Sequence, residues 1–191
     1  MNEYLEVSEY IDWDHPGITK LAKMLASDKP ADIDIARRCF EWVRDEIKHS
    51  WDHKMNPVTC KASDVLKHGT GYCYAKSHLL AALLRANNIP AGLCYQRLSI
   101  NDDGAPYSLH GLNAVHLKDF GWYKIDARGN KEGIDAQFIP PKEQLAYAVN
   151  EHNEKDFPDI LVKPHTTVVE ALTKYQTVKD VFENLPDAAE I

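Results

Sequence analysis

The sequence has no apolar run longer than Leu79 to Leu84, far short of the ~18–20 residues that cross a bilayer, so no membrane span is expected. A secretory leader is not visible either. The opening Met1-Asn-Glu-Tyr-Leu-Glu-Val-Ser-Glu9 is acidic, with neither a basic region nor an apolar run behind it. Basic surplus is also missing: 22 lysines and arginines face 29 aspartates and glutamates, a net charge of −7. Nucleic-acid binding needs a basic footprint to displace counterions, so no nucleic-acid partner is expected. Cys39, Cys60, Cys73 and Cys94 lie far apart with no CxxC pair, which supports neither a zinc ribbon nor a disulfide framework. They read as free thiols in a reducing compartment, and a cytoplasmic location is expected. Trp13, Trp42, Trp51 and Trp122 are too widely spaced to suggest a stacking platform. Repeats and low-complexity tracts are absent.

What is present is an ordinary globular composition, 44% apolar and 27% charged, over 191 residues. That length suits one domain, 1–191. Helices come first. Ile18, Leu21, Ala22 and Leu25 carry helical spacing, and Lys29-Pro30 breaks that helix. Asp32 or Asp34 can cap a second, with Ile35, Phe40, Val43 and Ile47 as its stripe. Ser50 to Pro57 reads as irregular, and a short helix over Ser63–His68 stops at Gly69. A long helix then runs from Cys73 to about Asn87, ending before Ile89-Pro90. Strands follow at Ala91–Ile100, Leu109–Leu117 and Trp122–Ile125, with turns at Asn101–Gly104 and Lys118–Gly121. Beyond them the pattern predicts a short helix near Glu143–Val149, a strand at Asp159–Val162 and a last helical portion over about 166–183. Helices first and an antiparallel sheet after argue an α+β fold.

Cys73 stands where the Gly-rich turn Gly69-Thr-Gly-Tyr72 enters the long apolar helix. A helix N-terminus offers unpaired N–H groups and the positive end of the macrodipole, which favour a sulfur anion. The same N–H groups can hold the oxyanion formed when that sulfur attacks a carbonyl. A cysteine nucleophile needs a histidine to take its proton and a third group to fix the imidazole. The stretch from His110 to Asp126 reads as a β-hairpin turning near Lys118–Gly121. His110 and Asp126 both lie away from the turn, so a modest register offset makes them neighbours at one end of the hairpin. His116 lies near the turn, and at ~3.3 Å per residue Asp126 would be displaced from it by roughly 10 Å along the strand. His110 is therefore the expected base and Asp126 its orienting acid.

The segment Gly71-Tyr-Cys-Tyr-Ala-Lys-Ser-His-Leu-Leu-Ala-Ala-Leu-Leu-Arg-Ala-Asn-Asn-Ile-Pro-Ala-Gly92 resembles the transglutaminase-like superfamily, including its bacterial cysteine-protease-like members. There a G-x-C turn opens a helix ending in L-L-R-x-x-G-I-P-A. A strand beginning H-x-W-x-E-V and another ending W-x-x-x-D follow, matched here by His110-Gly-Leu-Asn-Ala-Val115 and Trp122-Tyr-Lys-Ile-Asp126. The resemblance covers roughly residues 35–133. It implies a papain-like core with Cys73 as nucleophile, His110 as base and Asp126 as orienting acid. It also implies acyl transfer from a peptide or protein amide through a thioester, resolved by an amine or by water. The chain departs from the pattern at Leu112 and Ala114, where the family has tryptophan and glutamate. At Tyr74-Ala-Lys76 the acidic residue that often follows the cysteine is missing.

No cofactor or metal is expected. Cys73 and His78 do not share a helix face, and no Cys₂His₂ spacing exists. Arg128 reads more readily as a salt-bridge partner than as a substrate clamp. Two functions remain: a cysteine hydrolase or acyltransferase (peptidase, deamidase or cross-linker), or a catalytically silent peptide-binding module on the same fold.

Overall fold

The computed structural model describes residues 1–28, 31–101, 103–150 and 153–191. The expected break at Lys29-Pro30 lies outside these residues, as does Asp102 of the turn at 101–104. Helix α1 (Pro16–Ala26) buries Ile18, Leu21, Ala22 and Leu25, the spacing read from sequence. Helix α2 (Asp32–Glu46) buries Phe40 and Val43 of the expected stripe, together with Ala36 and Cys39. Ile47 lies just past the helix end, where it is still buried, and Ile35 is half-buried. Strand β1 (Lys48–His49) leads into the short helix α3 (Ser50–His53), in a segment expected to be irregular. Helix α4 (Ala62–His68) ends at Gly69, whose φ of 65° is a left-handed cap that glycine adopts without strain. Strand β2 (Thr70–Gly71) then pairs in parallel with β1.

Helix α5 (Cys73–Ala86) is the centre of the molecule. Every residue from Cys73 to Arg85 is buried, as expected of a helix that carries leucines and alanines on all sides. α1, α2 and α4 pack around it on one side, and a sheet covers the other. That sheet is built from β3 (Ala91–Ser99), β4 (Tyr107–Leu117) and β5 (Gly121–Ile125). A hairpin of β6 (Gln137–Ile139) and β7 (Lys142–Gln144) follows. The short β8 (Lys155–Asp156) completes the order β5-β4-β3-β8, antiparallel throughout. This is the expected α+β arrangement, with the cysteine helix packed on an antiparallel sheet.

The tail departs from expectation in three places. Lys142–Gln144 is strand rather than helix, and the N–H of Ala146 goes to the side chain of Asp126 rather than to a helical carbonyl. The strand expected at Asp159–Val162 is a single bridge, Leu161 to Leu93. The last helical portion is broken into α6 (Thr166–Lys174) and α7 (Val178–Phe182), the second opened by a capping box between Thr177 and Asp180.

Candidate active site

Cys73 is the first residue of α5, so its N–H has no partner within the helix. The side chain is buried beneath a cleft of about 580 Å³, within the range of small-ligand sites. Sγ accepts the N–H of Gly111 at 3.5 Å.

The hairpin register decides which histidine meets which acid. His116 pairs with Trp122 and Asn113 with Ile125, so Asp126 follows β5 toward the His110 end of β4. His110 Nε2 and Asp126 Oδ2 are 2.7 Å apart, and both side chains are buried. Asp126 Oδ2 also accepts the N–H of Ala146 at 3.0 Å, and Oδ1 that of Arg128 at 3.1 Å. Burial alone would raise the pKa of this carboxyl. The His110 charge and hydrogen bond, together with the two amides, outweigh it and hold the pKa below its usual value.

Burial would likewise push the His110 imidazole down. The charges of Asp126 and Cys73 and hydrogen bonding to both overcome that and raise it to about 10. With Nε2 engaged by Asp126, Nδ1 is the ring nitrogen left for the sulfur. The three residues singled out from sequence therefore converge on one site.

Other groups complete it: Arg128 is the salt-bridge partner expected from the sequence, whereas no sequence pattern marks Tyr147, Asp52 or Lys131. Tyr147 stands edge-on to the His110 ring, centroids 4.9 Å apart, and covers the imidazole. The Arg128 guanidinium lies 5.7 Å from the Tyr147 centroid and pairs with Asp52 at 2.7 and 3.2 Å. Lys131 joins the same carboxylate at 2.9 Å. Burial opposes ionisation of Asp52, but the two cations override it and lower its pKa. Arg128 is thus a salt-bridge partner inside the cleft. Lys76, one helical turn past Cys73, is wholly buried and donates to the carbonyls of Arg44, at 3.3 Å, and Ile47. Burial and the nearby Arg128 charge lower its pKa to about 7. His78 faces away from Cys73, its Nδ1 2.8 Å from the Cys60 carbonyl.

A sequence model described as the transglutaminase-like superfamily matches residues 19–127, more than half of the chain. The chain belongs to the transglutaminase-like superfamily. Its matched span contains Cys73, His110 and Asp126, while Tyr147 lies beyond it. Comparison with curated proteins finds no match.

Among solved structures, a proposed cysteine protease from Cytophaga hutchinsonii is similar at 22% identity and a TM-score of 0.51. The match covers 65% of this chain and 40% of that one, and at this identity the likeness concerns the fold. The periplasmic domain of TgpA from Pseudomonas aeruginosa matches at 18% identity and a TM-score of 0.48, over 65% of this chain and 45% of that one. Red sea bream transglutaminase matches at 12% and 0.46, over 66% and 32%. The transglutaminase-like chain described here therefore spans less than half the length of each of these structures.

Proposed function

We propose that the chain is a cysteine-dependent enzyme of amide acyl transfer, with Cys73 as nucleophile, His110 as acid and base, and Asp126 as orienting acid. One observation carries this reading: the imidazole bonded to Asp126 at 2.7 Å lines the same cleft as Cys73, whose sulfur accepts the N–H of Gly111, the residue after His110. An imidazole held charged at neutral pH stabilises a sulfur anion beside it and stores the proton that a departing amine needs.

In the first half-reaction the sulfur anion adds to the amide carbonyl, with the Cys73 N–H at the start of α5 facing the developing oxyanion. His110 then gives its proton to the leaving nitrogen as the C–N bond breaks, leaving a thioester. In the second half-reaction His110 takes a proton from water or an amine as that group attacks the thioester and expels the sulfur. Water gives hydrolysis or deamidation, and an amine gives cross-linking.

The substrate on this reading is a peptide or protein amide. The N-terminal and C-terminal segments act with the core as one domain: Tyr4 bonds the carbonyl of Ile160, and Leu109 that of Pro186. A reducing, cytoplasmic setting fits Cys39, Cys60, Cys73 and Cys94, all of which are free thiols. The test is incubation with a glutamine-rich peptide library and a primary amine, read by mass spectrometry. Cleavage, deamidation or amine incorporation that disappears in Cys73→Ala supports the proposal. Peptide binding without any turnover, equal in the parent and Cys73→Ala, would favour the silent binding module.

A further inference from the structure

Phe182 and Leu185 lie outside the span shared with the family, yet both line the cleft above Cys73. Their segment is tied to the residues that precede the two reactive side chains. Tyr72, just before Cys73, donates its hydroxyl to the Val178 carbonyl at 2.6 Å. Leu109, just before His110, donates its N–H to the Pro186 carbonyl at 2.7 Å. Asn56 Oδ1 accepts the Val178 N–H at 2.8 Å, and Asp187 pairs with Arg97 through both oxygens at 2.7 Å. So anchored, Phe182 stacks flat on Trp51, centroids 3.5 Å apart and planes within 3°.

The two sides of the cleft differ in chemistry. On the polar side Arg128 and Lys131 share the one carboxylate of Asp52, which leaves that cluster a positive charge in excess. The apolar side formed by Trp51, Phe182 and Leu185 is half-buried, with apolar surface still facing the cleft. An apolar substrate side chain gains by covering that surface and leaves the ion pairs opposite unbroken.

We propose that Trp51, Phe182 and Leu185 form a subsite for one large apolar side chain beside the reactive amide. The segment after the family core thereby sets the specificity of the site. Naming the occupant as part of an acyl donor rests on the acyl-transfer reading above; the subsite itself does not.

The test is alkylation of Cys73 in the full chain by N-phenethyl iodoacetamide and by iodoacetamide, quantified by peptide mass spectrometry. The ratio of the two rates is compared with the same ratio for N-acetylcysteine. Covering one such side chain predicts a ratio raised roughly ten- to a hundredfold in the parent. It should fall toward the N-acetylcysteine value in Phe182→Ala and in Leu185→Ala. Circular dichroism checks that each variant is folded, with Phe182→Leu as the replacement if Phe182→Ala is not. A parent ratio equal to that of N-acetylcysteine, or one unmoved by the folded variants, overturns the subsite. The ratio requires no turnover, so a raised ratio with no amide ever consumed would sink the acyl-transfer reading alone. Amide turnover without preference for apolar residues would sink the subsite alone.

Discussion

The amide of Gly111 donates to the sulfur of Cys73 across 3.5 Å, a contact that depends on Gly111 having no side chain. A Cβ at this position would lie 3.0 Å from both Cα and Cδ1 of Tyr74 and 3.2 Å from its N. Because two of those atoms are backbone, β4 would have to move away from the start of α5. Gly111→Ala should cost about 1–3 kcal/mol of stability in urea denaturation, the usual range for overpacking. It should also slow turnover on the order of 100-fold, because His110 moves with the strand. A variant as stable and active as the parent would show that this close approach does not set the geometry.

Asp126→Asn keeps the shape of the acid while removing its charge. The His110 pKa should fall from about 10 toward or below neutrality, followed as the C2-proton shift in NMR titrations. Turnover should drop by roughly 10²–10⁴, the scale set by the corresponding change in the serine-protease triad. An unshifted His110 titration would remove Asp126 from its orienting role.

Lys76 gives a pH signature with a definite sign. Its folded-state pKa is lowered to about 7, against an unfolded value near ~10.4. Between those values the unfolded chain binds the extra proton, so this group makes stability rise with pH. His110 acts oppositely: its stabilising contribution is full below its unfolded value near ~6.5 and is lost as pH rises through about 10. From pH 7 to 10, the parent should gain stability relative to Lys76→Met by on the order of 3 kcal/mol, measured by urea denaturation at each pH. A difference between the two proteins that stays constant over this range would show that Lys76 is charged in the fold.

Tyr147 covers the imidazole edge-on and belongs to the segment after the family core. Tyr147→Ala should admit water to the His110–Asp126 pair and shift the His110 titration away from that of the parent, while Tyr147→Phe keeps the ring and should behave nearly as the parent. Loss of the ring contact is worth about 0.5–1.5 kcal/mol. The same NMR titration checks it, and equal His110 curves in the parent and Tyr147→Ala would rule out a covering role.

The legible parts of the molecule are those in which side-chain pattern and chain position carry the information. The leucines after Cys73 announce a buried helix, and the hairpin turn at Lys118–Gly121 sets the register that brings Asp126 toward His110 rather than His116. The illegible parts depend on main-chain groups or on distant pieces of chain. Ala146 reaches Asp126 through its N–H, which leaves no trace in its side chain. Phe182 meets Trp51 across a separation of 131 positions in sequence, and no local period encodes that contact. The stretch Glu143–Val149 reads as helical because its alanines and leucine suit a helix. Tertiary partners decided otherwise: Lys142–Gln144 pair with β6, and the Tyr147 carbonyl accepts from Gln96.

The most direct test of the central claim is the rate of iodoacetamide alkylation at each of the four thiols near pH 7, in the parent and in His110→Gln. Burial pushes Cys39, Cys60 and Cys94 up to about 12, so these three should label slowly. Cys73 should label far faster than any of them and lose that advantage in His110→Gln. Labelling of Cys73 no faster than the other three, or at a rate indifferent to His110, would contradict the account.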